Sequence, residues 1–280
     1  MKTKRQRLMD AAQALNVLTC PVCGGRLTPT ESGFRCPDGH GLDANRKGYL
    51  YLLKKPFDAS AYGAALFDAR RRVFAAGAYA PVLAAIESML PAGALHLLDA
   101  GCGEGYYLSG LLASHPERRG AGVDISREAI ERAADQPCEA LWVVGDVHAL
   151  PFSGGAFDVV LDVLTPANYA EFSRVLAPHG MLIKVWPGHE YLQEIRQARG
   201  IPLYADEEVG PYLYTQCEVE QEQRVHTCLP LTPDLWRDFV GMTPLNQDLT
   251  ASEKEALCAN PQSVMTLDLH VACCRFRAGE

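Results

Sequence analysis

From residue 95 to residue 186, five short apolar runs (95–100, 120–124, 140–144, 157–163 and 180–186) alternate with helical periodicity at 105–113, 126–134 and 168–176. Apolar runs of strand length separated by crossover helices are the pattern of a parallel sheet covered on both faces. Further on, a helix is expected over 190–199, a strand over 223–228, a helix over 233–241 and a last strand over 264–274. The chain therefore reads as α/β, with seven strands in its main domain. Before that domain, residues 1–18 have a helical pattern and 19–55 are turn-rich around Cys and His. A helix pair is expected at 64–75 and 80–90, broken near Gly77. The expected division is 1–55, a small metal-binding module; 56–92, a helical linker; and 93–280, the sheet domain.

Composition limits the class. Hydrophobic residues make up 48% and charged residues 21% of the 280, as in ordinary globular chains. No apolar run approaches the 18 or so residues of a membrane span. The basic start, with Lys2, Lys4, Arg5 and Arg7, is not followed by a secretory apolar segment, so a cytoplasmic location is expected. The net charge of −8 hides an asymmetry. Residues 1–72 hold 13 Lys/Arg against 6 Asp/Glu, a net of +7, and the remainder holds 13 against 28, a net of −15. Such a split points to a nucleic-acid contact by the basic segment, or to no more than a solvated basic face.

The first strand of the sheet domain runs into Asp99-Ala100-Gly101-Cys102-Gly103-Glu104-Gly105 and then a helix. Glycines there allow close backbone approach to a ligand, and the helix start offers free N–H donors. The acid before the glycines suits a cationic, amino-acid-bearing cofactor better than a pyrophosphate. The third glycine also comes too early for the dinucleotide motif. The next strand ends in Asp124, at the distance where nucleotide folds place a ribose-binding acid. Alternatively, Asp124 or Ser126 caps the following helix. The third strand ends near Asp146, which could accept from an adenine amine. Three acids at successive strand ends give a pattern that resembles the class I S-adenosylmethionine methyltransferases, with a Rossmann-like seven-stranded sheet.

Of ten cysteines, seven are scattered and read as small apolar residues. Cys20-Pro-Val-Cys23 followed by Cys36-x3-His40 supplies four ligands in two close pairs, which suits one structural tetrahedral Zn²⁺.

These motifs, with Asp43, the run 47–53 (Lys-Gly-Tyr-Leu-Tyr-Leu-Leu), Phe67-Asp-Ala-Arg-Arg-Arg-Val-Phe74 and Lys184-Val-Trp-Pro-Gly-His-Glu-Tyr191, resemble the RlmA family of bacterial 23S rRNA guanine-N1 methyltransferases. Residues 165–172 and 184–192 resemble the family's Gram-positive branch, which includes a tylosin-resistance enzyme, and the likeness runs on through 242–245. The resemblance implies zinc on Cys20, Cys23, Cys36 and His40. It implies S-adenosyl-L-methionine held by Tyr79, Gly103, Glu104 and Tyr191, joined by the Asp99, Gly101, Gly105, Asp124 and Asp146 of the reading above. It implies 23S rRNA as partner, guanine 748 as target, and resistance to macrolides such as tylosin. A homodimer is an open alternative as a further partner; a membrane is not expected. The basic cleft is expected from Arg46, Lys47, Lys54, Lys55, Arg70, Arg71 and Arg72. Asp162, on the fourth strand, is the candidate acceptor of the guanine N1 proton, with a solvent-exposed or salt-bridged acid as the alternative. Two other classes compete: a small-molecule methyltransferase, which leaves the zinc motif unexplained, and a non-catalytic zinc RNA-binding protein, which leaves the strand-end acids idle.

Overall fold

The structure, a computed structural model, describes residues 2–53, 63–93, 95–205 and 208–277. The chain begins with helix α1 (Lys4–Leu15), started by a reciprocal cap between Thr3 and Gln6 and stopped by Asn16 in the left-handed conformation. Three short strands, β1 (Thr28–Pro29), β2 (Gly33–Arg35) and β3 (Gly41–Asp43), form an antiparallel sheet around the Cys/His cluster. Next come β4 (Leu50–Tyr51) and helices α2 (Ala64–Ala75) and α3 (Ala80–Met89).

The main domain follows as β5 (His96–Ala100), α4 (Tyr106–Ser114), β6 (Arg119–Asp124), α5 (Arg127–Ala133), β7 (Leu141–Val144), β8 (Phe157–Val163), α6 (Tyr169–Val175) and β9 (Leu176–Pro187). It ends with α7 (Gln193–Arg199), α8 (Val209–Gln216), β10 (Cys217–Pro230), α9 (Pro233–Met242), α10 (Ala251–Cys258) and β11 (Val264–Phe276). The strand order is β10-β11-β9-β8-β5-β6-β7-β4. The run from β9 to β4 is parallel; β11 and β10 are antiparallel. All seven strands expected of the domain are present, and β4 from the N-terminal segment adds an eighth beside β7.

Alternation along each strand divides the core in two. Leu97, Val159, Leu161 and Ile183 face α3, α4 and α9. Leu98, Val160 and Leu182 face the other way, in one cluster with Leu8 and Leu15 of α1 and with Leu27 and Phe34 beside the Cys/His cluster. The N-terminal segment is thus packed onto one face of the sheet. Ion pairs reinforce this: Lys2 with Glu139, Lys4 with Asp135, and Lys47 with Glu131. Among the described residues no helix is long and apolar enough to cross a membrane.

Candidate functional site

In the Cys/His cluster, the four ligand atoms of Cys20, Cys23, Cys36 and His40 lie within 4.8 Å of one another. The sulfurs of Cys23 and Cys36 are 3.7 Å apart, and His40 Nδ1 is 3.7 Å from Cys20 Sγ and 3.4 Å from Cys36 Sγ. A tetrahedral zinc with its usual bond lengths requires ligand separations of about 3.8 Å for S···S and about 3.6 Å for S···N. The donor set and its spacing therefore fit zinc. Burial raises the Cys20 thiol, but the amides of Cys23 and Val22 and the neighbouring sulfurs outweigh it and bring it down to about 7. Four protein ligands leave no open position, so the site is structural.

At the carboxyl ends of β5, β6, β7 and β8 a cavity of about 590 Å³ opens, within the ordinary range for a small-molecule site. Asp99, Gly101, Gly103, Glu104, Asp124 and Asp146 all line it, as do Tyr79 and Tyr191. The loop after β5 can hold only glycine at two points. Gly101 has φ +76°, and a Cβ there would lie 2.5 Å from Thr165 Oγ1. Gly105 has φ +77°, and its Cβ would meet the Trp142 ring at 2.5 Å.

The acids differ in state. Asp99 is 1% exposed and its Oδ2 has no hydrogen-bond partner. Burial, then the nearby Asp124, pushes its pKa up to about 7. The Oε2 of Glu104 is likewise buried without a partner, and burial raises that carboxyl against the opposing pull of Arg71 and Arg70. Such orphaned carboxylates fit a ligand that brings a cation and N–H donors. Asp124 accepts the Gly103 N–H and the Ser126 N–H, each at 2.8 Å. Asp124 thus faces the cavity and orients the start of α5, while the helix cap itself is Ser126, whose hydroxyl accepts the Ala129 N–H. Asp146 accepts the His148 N–H at 2.9 Å and holds His148 Nδ1 at 3.0 Å, which lowers its pKa. The hydroxyls of Tyr79 and Tyr191 are 2.8 Å apart.

Three expectations need correction or relocation. Asp162 does not line the cavity. Alternation along β8 turns Val163 toward the cavity side and Asp162 to the opposite face, where it is fully buried with its Oδ2 2.8 Å from Lys184 Nζ. It is the salt-bridged structural acid. Burial raises it to about 6 even with Lys184 pulling it down. Arg70, expected at the wall of the basic RNA cleft, lines this cavity beside Gly103. Arg72 is clamped to Asp238 through Nε and Nη2 and joins α2 to α9. Of the other expected RNA contacts, Lys47 pairs with Glu131, whereas Arg46 and Arg71 are exposed and have no ion pair among the described residues. Lys54 and Lys55 lie outside the described residues.

The cavity also holds residues that the sequence reading did not single out. Phe74 and Tyr106 stack at 4.2 Å and 7°. Arg196 and Tyr204 occupy the end beyond β9. For Tyr106 and Arg196 the one signal was position: they follow parallel strands β5 and β9 at the edge where open sheets bind ligands.

Known proteins share both parts. A family model described as "Methyltransferase domain" matches residues 97–180, and one described as "RlmA, N-terminal", a zinc ribbon, matches residues 18–56. A putative 23S rRNA (guanine-N(1)-)-methyltransferase, YxjB of Bacillus subtilis, is 34% identical over 251 residues, covering 79% of this chain and 87% of that protein. The 23S rRNA (guanine(748)-N(1))-methyltransferase of Streptomyces fradiae is 32% identical, covering 81% and 84%. Among solved structures, the YcgJ protein of Bacillus subtilis matches with a TM-score of 0.50 at 16% identity, covering 70% of this chain and 98% of that one, a likeness of fold alone. With a zinc ribbon, an acid-lined cofactor cavity and relatives of this identity across most of its length, the chain belongs to the RlmA-type family of S-adenosylmethionine-dependent rRNA methyltransferases.

Proposed function

We propose that the chain methylates N1 of a guanine in a 23S rRNA hairpin, with guanine 748 as the position and resistance to macrolides such as tylosin as the consequence. The observation that carries this reading is the joining, in one packed unit, of a Cys₃His zinc ribbon to a cavity lined by strand-end acids. A small-molecule methyltransferase has no use for the ribbon, and a non-catalytic RNA-binding protein has none for the acids.

S-adenosylmethionine, when bound, supplies an electrophilic methyl group. The chain's residues hold it. Asp99 takes the ammonium, and Arg70, reaching in from α2, takes the carboxylate. The loop of Gly101, Gly103 and Gly105 lets the backbone come close, and Glu104 meets polar hydrogens of the amino-acid portion. Asp124 accepts from the ribose and Asp146 from the adenine amine. Tyr79 and Tyr191 close the wall beside the reacting centre. Positioning by these groups supplies much of the rate.

The proposed division of labour is 1–55 for RNA recognition, 56–92 as linker and 93–280 for transfer. Arg46 and Arg71, with Lys54 and Lys55, contact phosphates. A second copy of the chain is the other expected partner, which sedimentation of the protein alone reads. Mass mapping of 23S rRNA after incubation with the enzyme and labelled cofactor tests the reading. A methyl group on N1 of guanine 748 is expected; methylation of a small metabolite but not of rRNA overturns it.

A further inference from the structure

The strand-end acids occupy one end of the cavity. They lie at the ends of β5 and β6 and in the loop just after β7, so a cofactor that they hold would extend toward β8 and β9. Beyond β9, α7 carries Arg196 to the cavity wall, with Tyr191 just before the helix and Tyr204 after it. The helix is anchored at its last turn, where Arg199 donates to the Leu245 carbonyl and pairs with Asp248 at 2.7 Å. The Arg196 guanidinium is itself held: Nη1 donates to the Pro202 carbonyl at 3.0 Å, and the Tyr204 ring centroid lies 5.7 Å from Cζ. Its Nε is buried and has no hydrogen-bond partner. Burial lowers its pKa, and the phenols of Tyr204 and Tyr191, the titratable groups beside it, counter only part of that lowering. A guanidinium braced on a ring and on one carbonyl, with a buried N–H left over, is preformed for a planar, electron-rich acceptor.

We propose that Arg196 recognises the O6 edge of the target guanine and carries the negative charge that the base acquires when N1 loses its proton. This rests on the guanine-N1 reading above. Arginine on guanine O6 is a common specific contact to that base, here made to a base flipped out of its stack. Neutral guanine has a proton on N1 and no free electron pair there. The N1–H bond breaks, the proton passes to water at the cavity mouth, and the electron pair is shared between N1 and O6. Arg196 pairs with O6. The N1 pair then forms the N–CH₃ bond as the S–CH₃ bond breaks, its electrons remaining on sulfur. The protein thus needs no carboxylate in the place once expected of Asp162.

The test uses the full chain and a 23S rRNA hairpin with 6-thioguanine at the methylated position. The absorbance of that base reports N1 ionisation without cofactor or turnover. Bound to the unaltered protein, its titration midpoint falls by at least one pH unit relative to the free hairpin; bound to R196Q, it does not. With guanine at the target, R196Q lowers kcat by about 100-fold, the usual loss on removing one donor to a developing oxyanion. Its rate then climbs with pH further than that of the unaltered enzyme. R196K, which keeps the charge without the fork, falls between. Affinity for S-adenosylhomocysteine stays within twofold in both variants, which verifies the fold. An unshifted midpoint in the unaltered complex, or an R196Q enzyme within threefold of normal, overturns the role of Arg196 alone. Failure of the unaltered enzyme to methylate guanine N1 overturns the functional reading, and this inference with it.

Discussion

Leu97, Leu98, Val159 and Val160 are wholly enclosed in the central sheet, in strands five and seven residues long. The strands of the zinc ribbon are two or three residues long, with Thr28, Pro29, Arg35, Gly41 and Asp43 exposed. The sheet is ordered by the apolar surface it buries. The ribbon has Leu27 and Phe34 to bury and little else, so a metal does the work of a core. Yet the two share one hydrophobic cluster. One chain thus holds two regions with different sources of order, in contact but separable by what removes that order.

The largest effect expected is on zinc removal. Structural zinc contributes about 10–16 kcal/mol in small modules. A strong chelator, or C36S, should abolish amide-exchange protection at 33–35 and 41–43 while leaving 97–99 and 159–161 protected. Loss at both places would break the comparison and make ribbon and sheet one cooperative unit. Next, Leu8 of α1 is 1% exposed within the shared cluster, so L8A should cost about 2–5 kcal/mol by denaturant melting of the whole chain. It should leave zinc content unchanged, since Leu8 belongs to the sheet's source of order.

The third prediction concerns Asp99. Its unfolded value is 3.8 and its folded value about 7, so the folded protein holds a proton there between these limits. Stability from this group is therefore greatest at low pH and declines as pH rises toward 7. An ammonium-bearing ligand needs the ionised form. Calorimetric affinity for S-adenosylhomocysteine should weaken as pH drops below about 7, approaching tenfold per unit, about 1.4 kcal/mol. D99N should bind weakly and without that slope. The smallest effect separates basic residues that hold the ribbon to the sheet from those that are free. R46A should reduce the salt slope of hairpin binding by about one. K47A should change it less, because Lys47 already pairs with Glu131.

The fold was legible wherever a local signal agreed with burial. The apolar runs, the glycine loop and the Cys/His spacing each state their own environment. Two helices were not read. Helix α8 is only eight residues long and buries just Gly210 and Leu213, too little for an apolar stripe to be read. Helix α10 buries no residue and so has no apolar stripe; its one sign was the capping pair Thr250 and Glu253. The strand expected at 223–228 runs over Cys217–Pro230, because pairing with β11 orders a stretch rich in Glu and Gln. The acids that line the cavity at strand ends were legible for the same reason as the strands. Asp162 was not, because its side depends on a one-residue alternation relative to Val163. Nor could Arg196 be found, since what brings it to the cavity is the packing of α7, anchored to residues 245 and 248. The charge asymmetry was real, but Lys2, Lys4, Lys47 and Arg72 neutralise the protein's own acids.

The pairing of Leu50–Tyr51 with β7 also sets a timetable for biosynthesis. When residue 51 leaves the ribosome, its partner at 143–144 is still about 90 residues from being made, a wait of roughly 5–20 s at ordinary elongation rates. Helix α1 waits for β6 and β7 in the same way. The ribbon can capture zinc early, but the apolar face of α1 stays uncovered until the third parallel strand emerges. Slow codons placed between residues 51 and 141 should therefore lengthen chaperone occupancy on the nascent chain, whereas the same delay after residue 187 should not.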